Sequence, residues 1–174
     1  MSQLITRRGE FEAAHRLLNH SGKCRNLHGH RYEWELTLRV YSGHTPRQLP
    51  LDFGDLKLIF EGYLALYLDH ATLTNPADET LSEWLKTEDS RQYRLSLDPE
   101  YCLTSVENLA KELYLTAEVM FEDAEAITVD SLKVHETRKN STTVQASAIS
   151  EKERESFLRL RRSWITNYLA ELDL

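Results

Sequence analysis

From position 28 to position 41 the chain alternates without interruption. The even positions read His28, His30, Tyr32, Trp34, Leu36, Leu38 and Val40, and the odd positions from 31 read Arg31, Glu33, Glu35, Thr37 and Arg39. A period of two puts the first set on one face of a strand and the second on the other, so this segment is a long strand with one buried and one wet face. The same alternation carries His28 and His30 onto the buried face. Their imidazoles leave it ~7 Å apart at Cα, with Gly29 leaving the opposite face bare between them.

The other segments are read against this strand. Residues 4–16 form a strand with Ile5, Phe11, Ala13 and His15 on one face. After a turn region, Ser42 to Pro50, Leu56, Ile59, Phe60, Tyr63, Leu64 and Tyr67 recur at helical spacing behind Asp52 as N-cap, and this helix ends near Leu68, Asp69 and His70. Residues 71–103 are irregular, apart from a helical turn at Thr80 to Lys86, and contain Asn75-Pro76 and Asp98-Pro99. A stretch of that length is either functional or an insertion. Thr104 followed by Glu107 has the capping-box pattern and opens a helix striped by Val106, Leu109, Ala110, Leu113, Tyr114 and Ala117. A strand over 126–137 places Leu132, Val134 and Glu136 on one face, and Ser141 to Ala148 pairs with it. Ser150 and Glu153 then open a last helix with Phe157, Leu160, Trp164, Ile165, Tyr168 and Leu172 on one side. The order β-β-α-(insertion)-α-β-β-α is that of an α+β protein rather than an alternating parallel one. It divides into residues 1–149, holding an insertion at 71–103, and a helical extension at 150–174.

Charge narrows the function classes. A net charge of −7 argues against broad electrostatic binding to nucleic acid or anionic lipid, while leaving room for a local basic pocket that takes an anionic small molecule. No apolar run reaches the roughly 20 residues of a membrane span. The segment MSQLITRRGEFEAAH has neither an apolar core nor a cleavage pattern, so the expectation is a cytoplasmic protein whose two cysteines, Cys24 and Cys102, are free thiols.

Several residues carry potential chemistry. His28 and His30 can supply two ligands to one zinc ion, and catalytic zinc takes a third protein ligand while keeping one position open. His15, ending the first strand's apolar series, is placed to be that third ligand if the two strands form a hairpin. The plain alternative is a pair of strand-end histidines making ordinary hydrogen bonds. Cys24 is a base or nucleophile beside a cationic site, a fourth ligand, or an inert thiol. Asp69 and His70 form either a local cap or an oriented acid/base pair. Glu136 is a carboxylate on an apolar face and needs a partner, which a ligand's donor-rich edge would provide.

The ordered motifs F-E-A-A-H (11–15), C-x3-H-G-H (24–30), L-D-H (68–70), T-S-V-E-N-L-A (104–110) and V-H-E-T (134–137) resemble the 6-pyruvoyltetrahydropterin synthase / 6-carboxytetrahydropterin synthase family. The resemblance implies a tunnelling fold: an antiparallel four-stranded sheet with two helices on one face, assembled through barrel-forming trimers into a homo-oligomer, trimer or hexamer. It implies His15, His28 and His30 as zinc ligands, Cys24 as the proton-abstracting thiolate, and Asp69 and His70 as its catalytic partners. It implies Glu136 as the anchor for the 2-amino/N3 edge of a pterin. Thr104, Ser105 and Glu107 are substrate-pocket candidates too, although Thr104 and Glu107 serve equally as the helix cap. Lys23 and Arg25 are candidates for holding a triphosphate. The short C-x3-H-G-H looks like that of bacterial 6-carboxytetrahydropterin synthases of the queuosine and 7-deazapurine route. Those enzymes convert 7,8-dihydroneopterin triphosphate to 6-carboxy-5,6,7,8-tetrahydropterin, releasing acetaldehyde and triphosphate. A pyruvoyl-forming synthase and a non-catalytic zinc- or pterin-binding relative are the alternatives. The 71–103 segment and the 150–174 tail depart from a compact member of the family.

Overall fold

A computed structural model of the chain describes residues 2–41, 52–97 and 103–172. The turn at Ser42 to Pro50, the Asp98-Pro99 step and Cys102 lie outside the described residues. Strands β1 (Ser2–His15) and β2 (His28–Tyr41) form a fourteen-residue antiparallel ladder that runs in register from Ser2↔Tyr41 to His15↔His28. Alternation decides the register: Phe11, Ala13 and His15 face the same side as His30, Tyr32, Trp34, Leu36 and Leu38, and a slip of one residue would turn the whole set to water. Gly9 sits opposite Trp34, and a Cβ there would stand 2.4 Å from the indole, so the glycine makes room for the ring.

β5 (Ile127–His135) pairs antiparallel with β2, and β6 (Ser141–Val144) with β5, which completes the four-stranded antiparallel sheet expected from the sequence. The sheet is wider than that. β3 (Ala71–Thr74) and β4 (Gln92–Arg94) add two short parallel strands on the free edge of β1, giving the order β4-β3-β1-β2-β5-β6. Between them α3 (Glu79–Thr87) is capped by Asp78, whose side chain accepts from Leu81 N at 3.2 Å. Residues 71–97 are therefore a built strand–helix–strand unit rather than an irregular stretch. Four- and three-residue strands are too short to show a period, and every side chain of β3 is buried.

The helix expected after Asp52 is present and interrupted. α1 (Phe53–Leu56) passes through a π segment at Lys57–Glu61 into α2 (Gly62–Tyr67). Asp52 caps it as expected, accepting from Gly54 N at 2.6 Å. In the π segment the Gly62 N–H reaches back to Lys57 O, and the Tyr168 hydroxyl donates to Leu58 O. A Cβ on Gly62 would meet that hydroxyl at 2.5 Å.

α4 (Val106–Met120) is buried nearly all round. Its expected stripe, Leu109, Ala110, Leu113 and Ala117, explains one side, while Glu112, Leu115, Thr116 and Val119 are buried on the other as well. A helix of that kind needs cover on both faces, and α5 (Glu151–Ala170) packs against it as a further layer. The Ser150–Glu153 capping box forms as expected. The apolar stripe expected for this helix is partly wrong: Phe157, Ile165 and Tyr168 are buried, whereas Leu160 and Trp164 lie exposed. Arg161 takes their place on the inner face. It stands 3.2 Å from Glu112 in a pocket where Tyr93 and Ser96 of the inserted unit also bond that carboxylate. Its guanidinium lies 4.4 Å from the Tyr93 ring centroid and donates to Arg94 O. Insertion, α4 and tail thus meet at one buried ion pair.

Removing one member of a buried pair leaves the other charge uncompensated. Arg161→Ala is expected to lower unfolding free energy by about 3 kcal/mol, read as a shift of the urea midpoint, with the remaining donors to Glu112 holding the loss near that figure.

Candidate metal and catalytic site

The open end of the β1–β2 ladder carries three histidines on its helix-covered face. His15 and His28 are register partners, and His30 is the partner of Ala13 one pleat further along. The three rings stand 4.6, 5.1 and 4.9 Å apart by centroid, and one nitrogen from each lies within 4.8 Å of the others. The hairpin return expected for His15 is the geometry observed.

Tautomers follow from what the rings touch. His15 Nδ1 is 2.6 Å from Thr104 O and His28 Nδ1 is 2.7 Å from Asn26 O. A carbonyl only accepts, so both Nδ1 atoms carry hydrogen and both Nε2 atoms present lone pairs. His15 is 1% exposed, and among the described residues its Nε2 has no hydrogen-bond partner. Burial pushes its pKa down to about 4, with His28 and His30 adding to the fall against the Thr104 bond. Burial likewise lowers His30, with Glu136 opposing. A neutral imidazole with an orphaned, buried acceptor nitrogen among two others is a donor set that fits a divalent metal, and zinc in particular.

Glu136 follows the end of β5 and keeps the facing of Val134, so its carboxylate reaches the cluster. Its Oε1 lies 3.7 Å from His15 Nε2 and 3.9 Å from His30 Nε2, beyond hydrogen-bond range, leaving its oxygens open to other donors. Beneath the rings, Tyr32 is buried with an unpartnered hydroxyl, and burial raises its pKa. Tyr32 is the next position in the His28–His30 series, where alternation alone marks it as a core residue.

Cys24 sits in the turn Lys23–Arg25 of the loop that joins the His15–His28 pair, and its carbonyl accepts from Leu17 N at 2.8 Å. It is a free thiol of intermediate exposure, flanked by exposed Lys23 and Arg25. Asp69 and His70 do form a hydrogen-bonded pair, Nδ1 to Oδ2 at 2.8 Å. The pair is pinned to β1: Glu12 N donates to Asp69 Oδ1 at 2.9 Å, and His70 N donates to Glu12 O at 2.7 Å. The Glu12 bond, then His70 and Arg91, hold the Asp69 carboxyl below its usual range. His70 adopts φ 58°, in the left-handed region, and its side chain is 74% exposed. It borders a groove of about 430 Å³ whose lining includes Glu12, Gly29 and Arg31 and also His30 of the cluster. Among the described residues no hydrogen bond joins the pair to Cys24 or to the histidine cluster. One chain brings together His15, His28, His30 and Glu136, and pins Asp69 and His70 against the Glu12 main chain of β1.

The α4 start also departs from expectation. Thr104 does not cap the helix; Ser105 is the N-cap residue, and its side chain makes no capping bond. The Thr104 hydroxyl donates instead to Arg16 O, which leaves Glu107 no box to close, and Glu107 lies exposed in the first turn. Thr104 thus serves His15 through its carbonyl, a main-chain role invisible to side-chain reading.

A family model described as 6-pyruvoyl tetrahydropterin synthase matches residues 4–147. A 6-carboxy-5,6,7,8-tetrahydropterin synthase from Rickettsia bellii is 31% identical over 136 residues, covering 76% of this chain and 92% of the relative. A protein of the same name from Haemophilus influenzae is 26% identical over 138 residues, with the same coverages of 76% and 92%. Among solved structures, an uncharacterized protein from Wolinella succinogenes superposes with a TM-score of 0.62 at 18% identity, over 84% of this chain and 99% of the other. The Caenorhabditis elegans 6-pyruvoyl tetrahydropterin synthase gives 0.57 at 23% identity, over 84% and 96%. These structural likenesses speak to fold alone, and they agree with the tunnelling fold. No helix among the described residues is long and apolar enough to cross a membrane.

The lowered His15 pKa sets a pH dependence for the metal-free protein. Its folded pKa, about 4, lies below the unfolded value of 6.5, so the unfolded chain binds more protons between the two. Stability should therefore fall as pH drops through that window, by roughly 3 kcal/mol in all. Denaturant titrations of the chelator-treated protein from pH 7 to pH 4 check this, and His15→Gln should flatten the slope.

Proposed function

The chain belongs to the 6-pyruvoyl tetrahydropterin synthase family, and from that premise we propose that it is a zinc-dependent lyase forming 6-carboxy-5,6,7,8-tetrahydropterin from 7,8-dihydroneopterin triphosphate, with release of acetaldehyde and triphosphate. The observation carrying the metal-dependent reading is the trio of imidazoles with a buried His15 Nε2 that has no hydrogen-bond partner among the described residues, with the Glu136 carboxylate 3.7 Å away. The carboxy product is favoured over the pyruvoyl one by the names of the curated relatives and by the short spacing from Cys24 to His28. The queuosine and 7-deazapurine route is the biosynthetic context this reading implies.

Each residue has a task in this reading. His15, His28 and His30 would hold zinc, which when bound supplies Lewis-acid polarisation of the substrate's side-chain oxygens. Glu136 accepts N–H donors from the 2-amino/N3 edge and so fixes the pterin's orientation. Cys24, in the loop that joins His15 to His28, moves a proton to or from the substrate side chain as thiolate or thiol. The Asp69 carboxylate orients His70 through its Nδ1, leaving Nε2 to move the second proton. Among the described residues no hydrogen bond joins His70 to Cys24, and in this reading the second transfer takes place across a subunit boundary of the homo-oligomer that the family resemblance implies. Lys23 and Arg25 are exposed beside Cys24 and suit the triphosphate.

Product analysis by mass spectrometry tests the reaction: carboxytetrahydropterin with acetaldehyde supports the proposal, and a pyruvoyl product without acetaldehyde moves the chain to the alternative synthase. Cys24→Ala should keep stoichiometric zinc and lose turnover on the order of 10²–10⁴-fold, whereas loss of zinc from that variant would make Cys24 a ligand. His28→Ala should lose the metal by elemental analysis. Mixing Cys24→Ala with His70→Ala chains should recover part of the activity if the pair serves a neighbouring subunit.

A further inference from the structure

The inserted unit reaches the metal ligands through three links. His15 Nδ1 donates to Thr104 O at 2.6 Å. The Thr104 hydroxyl donates to Arg16 O, so this one residue grips the end of β1 at two successive positions. The Arg16 side chain then runs to the insertion, where Nε and Nη2 meet Asp78 Oδ2 and Oδ1, each at 2.6 Å. Beyond the last ladder pair, His15↔His28, the main chain is tied to the following loop by Leu17 N donating to Cys24 O at 2.8 Å. The Thr104 and Asp78 bonds add the contacts that orient His15 and Arg16 from outside the hairpin.

The chemistry of Asp78 points the same way. It is only 4% exposed, and it also caps α3. Capping does not need a charge, since asparagine caps as well as aspartate. A buried carboxylate is retained where a cation pairs with it, and here the cation is Arg16, the neighbour of a metal ligand. Resting on the zinc reading above, we propose that Asp78 is a positioning residue for the metal centre: its forked pairing with Arg16 locks the Arg16–Thr104–His15 bracket, which makes the insertion part of the metal site's outer layer.

Asp78→Asn keeps the cap and removes the charged fork. Partners in the outer layer of a metal site are worth about 10- to 100-fold in metal affinity. The full-length variant should therefore bind zinc about tenfold more weakly in competition with a chromophoric chelator, and its cobalt-substituted form should show an altered visible spectrum. Arg16→Gln should do the same, and the double variant should lose no more than either single, because both break one link. Thr104→Val should weaken binding and Thr104→Ser should restore it; that pair decides the matter if Asp78→Asn does not fold. Unchanged affinity and cobalt spectrum in folded Asp78→Asn, or wild-type affinity in Thr104→Val, would overturn the inference. A wild-type protein that takes up no zinc would defeat the metal reading itself, whereas zinc held equally by wild type and variants would defeat this inference alone.

Discussion

The in-register pairing of β1 with β2 is the constraint on which the site depends. It sets His15 against His28 and brings His30 alongside, so three imidazoles from two strands meet without any help from a mobile loop. The same pairing sets Trp34 over Gly9 and faces Phe11 with Tyr32, so the three histidines and the core share one register. A ligand set on paired strands is held more firmly than one on loops. The buried face therefore packs along most of its length and gathers three imidazoles at its open end.

Much of this is legible in the residues because the signals are long. Fourteen residues of alternation define β2, and the histidines inherit their facing from it. The capping residues Asp52 and Ser150 are likewise local signals that the fold honours. What escapes the sequence depends on contacts between distant segments. Thr104 has the pattern of a cap, yet its hydroxyl finds Arg16 O and its carbonyl finds His15, because the end of β1 arrives beside it. Arg161 sits where Leu160 or Trp164 fits the helical stripe, because a buried carboxylate, Glu112, waits on α4. Asp69 and His70 are legible as an oriented pair, and their hydrogen bond forms, but the place where they dock is set by Glu12 on the distant β1.

The two departures from a compact family member are one construction. The tail covers the second face of α4, and the strand–helix–strand insertion widens the sheet beyond β1. Tyr93 and Ser96 from the insertion, Glu112 from α4 and Arg161 from the tail share one buried cluster, to which the Ser156 hydroxyl adds a bond to Ser96 O at 3.2 Å. Each addition thus supplies donors or charge that the other needs. Neither is an ornament on a finished core.

The π segment before α2 has a consequence for the far end of that helix. A π turn carries one more residue than the α turn it replaces, which advances everything after it by about 100° around the axis. Asp69 and His70 follow that helix directly, so their angular setting against β1 is fixed by the turn at Lys57–Glu61. The Tyr168 hydroxyl over Gly62 and on Leu58 O fastens that turn. The last turns of α5 therefore act as a clocking pin: they set the phase at which the hydrogen-bonded Asp69–His70 pair at the other end of a helix meets the sheet.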